Sequence, residues 1–249
     1  MSAPAISMVT GAACAAFSAG MYYAAGVPSS QIFGPSLVRS QHPQAVALTF
    51  DDGPSESTPA VLDALAEAGA AATFFQIGSN AKRLPELARR VAREGHEIAS
   101  HTETHPRFYL CSPARIAREI EQGQRSLESV HGVAPHLFRP PYGARWFGMY
   151  PAVDRLGLRV VMWSVSSRDW ERPAPSRRTS PPDSPSSWIQ EQVIDHTRPG
   201  DVVLMHDGDT TTSGDRRQET ARAVRAILAA FSARGLRAVT VSQLFGLTL

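Results

Sequence analysis

From residue 45 onward, short apolar runs alternate with segments whose apolar positions recur every three to four residues. "AVALTF" (45–50), "AATFFQIG" (71–78), "HEIASH" (96–101), "HLFRPP" (136–141), "RVVMWSV" (159–165), "DVVLMHD" (201–207) and "RAVTV" (237–241) read as strands, most of them apolar almost throughout. Segments 58–70, 84–95, 112–132, 146–156, 187–197 and 215–234 read as helices between them. Thr58 stands at an N-cap before Pro59, Ser112-Pro113 opens the third helix, and Gly69 and Gly95 mark two stops. Strands that alternate with helices and lack a polar face predict a parallel sheet covered by helices. The expected fold is therefore α/β, a distorted (β/α) barrel of about seven parallel strands with helices outside. A flat doubly wound sheet is the alternative, weakened because no G-x-G-x-x-G follows the first strand.

Two stretches break the alternation. Residues 1–43 form an apolar N-terminal leader, with no Asp, Glu, Lys or Arg before Arg39. The run 3–27 has the length of a membrane span of ~20 residues. It lacks the positive flank of an export signal and is rich in Ala and Gly. The expectation is an export signal or membrane anchor outside the barrel, taking no part in chemistry, ahead of a catalytic domain over 44–249. That places the protein outside the cytoplasm, secreted or membrane-anchored. An ordinary buried helix packed on the domain is the alternative. The second break, "ERPAPSRRTSPPDSPSS" (171–187), is too rich in Pro and Ser to bury a core and reads as a long surface loop.

Composition narrows the function. Hydrophobic residues make up 43% of the 249, ample for a core, and the net charge is +2. No broad basic footprint is available for nucleic acid. Cys14 and Cys111 are far apart and follow no metal or redox spacing.

The polar residues capable of chemistry collect at strand ends, where parallel α/β folds place their sites. Asp51 and Asp52 end the first strand, and His101 and His105 follow the third. Arg139 and Tyr142, Asp169 and Trp170, then His206 and Asp207 follow later strands. Adjacent carboxylates repel, so a cation or a proton must keep the two aspartates together. "HTETH" (101–105) sets two imidazoles four residues apart, but Thr102 stands where the helical H-E-x-x-H motif needs Glu. Two histidines and one carboxylate, from Asp51 or Asp52, make a three-ligand site with an open position, the pattern of a catalytic zinc. The other aspartate is then free to act as a base.

"TFDDGP" (49–54), "HTETHP" (101–106), "RPPYG" (139–143), "DW" (169–170) and "LMHD" (204–207) together resemble the five ordered motifs of the polysaccharide deacetylases, carbohydrate esterase family 4. The resemblance covers about residues 44–245. It implies metal-dependent hydrolysis of an N-acetyl group on an N-acetylglucosamine-containing glycan, chitooligosaccharide or peptidoglycan. The protein is expected to be a monomer. It implies Asp51 as general base, and Asp52, His101 and His105 as ligands of a divalent metal, zinc foremost. Arg139 would orient Asp51, the Tyr142 backbone N–H would face the oxyanion, and His206 would be the general acid. Asp169 would hold His206 or pair with Arg139, and Trp170 and Leu204 would line the acetyl pocket. Ser166 stands where many members carry a further Asp. Removal of O-acetyl groups from xylan, or glycan binding without catalysis, are the alternatives.

Overall fold

The computed structural model describes residues 18–171, 184–209 and 216–248. Helix α1 covers described residues 18–26. Strands β1 (Ala45–Asp51), β2 (Thr73–Gln76), β3 (Glu97–Ser100), β4 (Leu137–Phe138), β5 (Arg159–Val160), β6 (Val165–Ser166), β7 (Val202–His206) and β8 (Arg237–Val239) form one sheet. Every pair is parallel, in the order β5-β4-β3-β2-β1-β7-β6, and β8 pairs with the first residues of β1. Helices α2 (Thr58–Glu67), α3 (Gly78–Arg83), α4 (Pro85–Arg93), α5 (Pro113–His131), α6 (Met149–Arg155), α7 (Pro185–Ile194) and α8 (Arg216–Ala233) accompany it, and α9 (Val241–Phe245) follows β8. This is the distorted barrel that the alternation predicted.

The pleat of β1 explains how an apolar strand builds a polar site. Val46, Leu48 and Phe50 face outward into a core shared with α2, α7 and α8. Ala45 and Ala47 face inward with Phe75, Ala99, Leu137, Val161 and Val202, and Val241 and Leu244 of α9 join this interior. Thr49 and Asp51 continue the inward row, and both are bonded by the buried Arg139. The barrel is thus apolar at the floor and polar at the mouth. β7 repeats the pattern, with Val203 and Met205 outward and Leu204 and His206 toward the site.

Three local readings change. Ser57, not Thr58, precedes α2 as its cap residue, without a side-chain cap bond. The Thr58 hydroxyl instead donates to the buried Asp207 carboxylate at 2.6 Å, a stronger demand than an exposed helix end. The expected strand 159–165 is two short strands, because the chain changes partners between them. The Met162 N–H donates to Leu37 and the Ser164 N–H to Val202, both carbonyl oxygens. The expected strand 237–241 stops at Thr240, which caps α9 in a reciprocal box with Gln243.

Part of the stretch 1–43 contacts the barrel. Leu37 bridges Val161 beside β5, and Arg39 bridges Asp201 before β7, across the gap between the two ends of the sheet. Arg39 Nε also lies 2.5 Å from Asp201 Oδ1. Among the described residues, no helix is long and apolar enough to cross a membrane. Cys14 and most of the Pro/Ser-rich loop, 172–183, lie outside the described residues.

Candidate active site

At the mouth, a cavity of about 340 Å³ is lined by Asp51, Asp52, His101, His105, Tyr142, Trp170, Leu204 and His206, among others. Arg139 and Asp169 lie behind it, each holding a lining residue. The structure thus brings these residues to one place, whereas Asp207, also at a strand end, turns its carboxylate to Thr58.

Consecutive residues of a strand point to opposite faces. Asp52 escapes this by taking a left-handed backbone conformation, φ 72°, so its carboxylate joins that of Asp51 at the mouth. The turn is braced from β7. The backbone N–H groups of Asp207 and Gly208 donate to the Asp51 carbonyl oxygen, and a Cβ at Gly53 would collide with the Asp207 carboxylate.

Asp51 Oδ1 lies 2.6 Å from Arg139 Nη1. Arg139 is fully buried, and its guanidinium also donates to Thr49 Oγ1 and to the carbonyl oxygens of Val161 and Met162. Its Cζ sits 4.0 Å from the Phe75 ring centroid. These contacts fix the cation and so the direction of Asp51.

His101 and His105 leave β3 on an irregular loop, with Thr102 and His105 both at positive φ. The His101 Nδ1–H donates to the Arg139 carbonyl oxygen at 2.7 Å, which turns Nε2 toward Asp52 Oδ1, 3.5 Å away. His105 Nε2 lies 3.3 Å from the same oxygen. Glu103 turns away. It pairs with Lys82 at 2.6 Å and accepts from Ser126 of α5. Gly123 of α5 lets the loop approach, since a Cβ there would meet the Thr102 backbone.

Ligand atoms of Asp52, His101 and His105 all lie within 4.8 Å of one another. Burial holds His101 down at about 3 and His105 at about 2, so both are neutral, as metal ligands must be. Burial pushes Asp52 up to about 7, with His206 opposing and Asp51 adding to the rise. Asp52 Oδ1 and His105 Nδ1 are buried without hydrogen-bond partners. A buried carboxylate oxygen between two neutral imidazoles, left unbonded, fits a divalent cation.

Across the cavity, His206 Nδ1 lies 2.7 Å from Asp169 Oδ1. Thr220 donates to Asp169 Oδ2 at 2.8 Å, and Arg217 Nη1 lies 3.5 Å from Oδ1. Asp169 therefore pairs with His206 and Arg217 of α8, and the bonds of Arg139 go to Asp51 and to backbone. The sequence reading missed Arg217, Thr220 and Asp209. Arg217 and Asp209 also line the cavity. Nothing local marks a helix arginine as part of a site some 50 residues behind its partner.

The polysaccharide deacetylase family model matches residues 39–161. The chain is 38% identical over 209 residues to a chitooligosaccharide deacetylase of Bradyrhizobium sp. strain ANU 289, covering 81% of this chain and 90% of that one. It is 36% identical over 202 residues to a peptidoglycan-N-acetylglucosamine deacetylase of Bacillus cereus, covering 80% and 87%. Among solved structures, the Bc1960 peptidoglycan N-acetylglucosamine deacetylase superposes with a TM-score of 0.75 at 30% identity, covering 85% of this chain and 92% of that one. A fold, a mouth and relatives that agree over four-fifths of the sequence lead to one conclusion: this chain belongs to the polysaccharide deacetylase family.

Proposed function

We propose that the protein removes N-acetyl groups from N-acetylglucosamine-containing glycans, chitooligosaccharide or peptidoglycan, as a zinc-dependent hydrolase. The observation that carries this reading is the opposition of two polar systems across one cavity. Asp51, held by Arg139, stands beside the Asp52–His101–His105 group, and His206, held by Asp169, faces them.

Asp52, His101 and His105 would hold the ion, which when bound would polarise the acetyl carbonyl and acidify the attacking water. Asp51 takes the proton from that water as its oxygen bonds to the carbonyl carbon. Arg139 keeps Asp51 aimed. The Tyr142 N–H donates to the oxygen on which negative charge develops. As the C–N bond breaks, His206 gives its proton to the nitrogen, because an amine leaves poorly unless protonated. The products are acetate and a free amino sugar. Leu204 and Trp170 shape the apolar wall on which the acetyl methyl rests.

In this reading the protein works as a monomer outside the cytoplasm, and the apolar run 3–27 carries it there. The test is acetate release from chitooligosaccharide, peptidoglycan and O-acetylated xylan side by side, with and without a chelator. Chelator-sensitive release from the N-acetylated glycans supports the proposal. Release from acetylated xylan alone would replace it with an esterase, and none from any substrate would end it.

A further inference from the structure

We infer that the N-terminal segment 25–37 is a brace for the oxyanion-facing turn, and that Arg145 is the positioning residue through which it acts. Arg145 follows the turn Pro141–Gly143 by two residues and is fully buried. Its guanidinium donates to the backbone carbonyl oxygens of Ala25, Val27, Pro28 and Ser30. The bond to Ser30 is 2.5 Å. The Arg145 backbone N–H donates to the Ala25 oxygen at 3.0 Å. These carbonyls come from the end of α1 and the turn after it, where carbonyl oxygens lack helical partners. A cation suits that end of a helix, and a fork of donors can meet several oxygens at once.

The same segment is tied down further along. Phe33 packs edge-on against Phe147 at 5.2 Å and near Trp146 at 6.4 Å. The Tyr150 hydroxyl donates to the oxygens of Gly34 and Pro35, and Leu37 bridges Val161. Residues 25–37 thus run along the whole stretch from Arg145 to Val161. They precede residue 39, where the family match begins.

The turn itself needs an outside hold. Tyr142 has a left-handed backbone at φ 56°, a conformation that costs a non-glycine residue energy and persists only where the surroundings impose it. On one side, Arg139 fixes the chain. On the other, Arg145 fixes it to the N-terminal carbonyls. The Tyr142 N–H lies between these two buried arginines, so its aim depends on both. This rests on the proposed oxyanion role of Tyr142.

The experiment compares the full chain with Arg145→Lys, Arg145→Met and Tyr150→Phe. Acetate release, metal content, thermal stability and amide hydrogen exchange at residues 142–145 are read for each. Lysine keeps the buried charge but cannot span four oxygens. Arg145→Lys should lower kcat about tenfold or more with KM and metal content unchanged, and speed exchange at 142–145 ahead of the rest of the barrel. Arg145→Met should do the same more severely. Tyr150→Phe, which loosens the segment away from the turn, should lower stability alone. Wild-type kcat and wild-type exchange in Arg145→Lys overturn the inference. So does a kcat that falls only in step with lost metal or lost folded protein. If the wild-type protein releases no acetate, the proposed function fails, while the exchange pattern still decides whether the segment braces the turn.

Discussion

Asp169 grips His206 twice, with Oδ1 2.7 Å from the ring Nδ1 and Oδ2 accepting the backbone N–H of the same residue at 2.9 Å. Burial alone would lower the imidazole, but the charge and hydrogen bond of Asp169 outweigh it and hold His206 above its ordinary value. Burial likewise works to raise Asp169, and His206, Arg217 and Thr220 hold it down at about 2. The protonated imidazole of His206 therefore survives to higher pH than that of a free histidine would. Asp169→Asn should move the alkaline limb of the kcat/KM profile to lower pH. The stabilising effect of the pair is present between its two transitions. It is lost as pH falls through about 2, where Asp169 protonates, and as pH rises through the raised value of His206. An unmoved alkaline limb in Asp169→Asn would take Asp169 out of this role.

The Asp51–Arg139 pair should be worth more to aim than to stability. Asp51→Asn should keep its metal and lose ~100- to 10,000-fold in kcat, the usual range for a lost general base. Arg139→Met should destabilise by ~3–5 kcal/mol, because a buried carboxylate is left uncompensated. Adding Asp51→Asn to that variant should restore part of the loss. Chemical denaturation of the three proteins checks it. A double variant less stable than Arg139→Met would show that the pair is not coupled in this way.

Metal content should follow the three converging side chains and ignore the acid between them. His105→Ala should lose most of its bound divalent metal by elemental analysis. Glu103→Gln should keep it, because Glu103 is turned toward Lys82 and Ser126. Full metal in His105→Ala, or its loss in Glu103→Gln at unchanged stability, would reverse the assignment.

Gly123→Ala should be harmful in spite of the helix propensity it gains. The new methyl would meet the Thr102 backbone, so either α5 or the histidine loop must move. Overpacking of this kind costs ~1–3 kcal/mol, against ~1 kcal/mol of favourable propensity. Reduced divalent-metal affinity together with a lower melting temperature is the expected result. Unchanged metal binding would mean that the loop yields without disturbing its two histidines.

β1 was legible as a buried strand from its apolar run 45–50 ending on two aspartates, while the pleat that turns Thr49 and Asp51 inward was not. The histidine pair was legible from spacing that no helix motif explains. What stayed hidden depends on contacts distant in sequence. Gly78–Arg83 is too short to show a helical period. The break at Met162 follows from a bond to Leu37, and no local residue announces it. Arg217 and Arg145 look like ordinary cations in amphipathic surroundings until the fold buries them.

Among the described residues, Asp52, Thr102, His105, Tyr142 and Arg168 are the non-glycine residues with left-handed backbone, and all five lie on loops at the mouth. At the other end, turns such as that after α4 use glycine, Gly95 at φ 85°. Each left-handed side chain carries a penalty of ~1–2 kcal/mol, so the two ends of the barrel are unequally relaxed. The glycine turns at the floor carry no such penalty. The mouth is held in tension by the layers beneath it, and a sequence selected only for heat resistance would release that tension by substituting glycine there, slackening the histidine loop and the aspartate turn first.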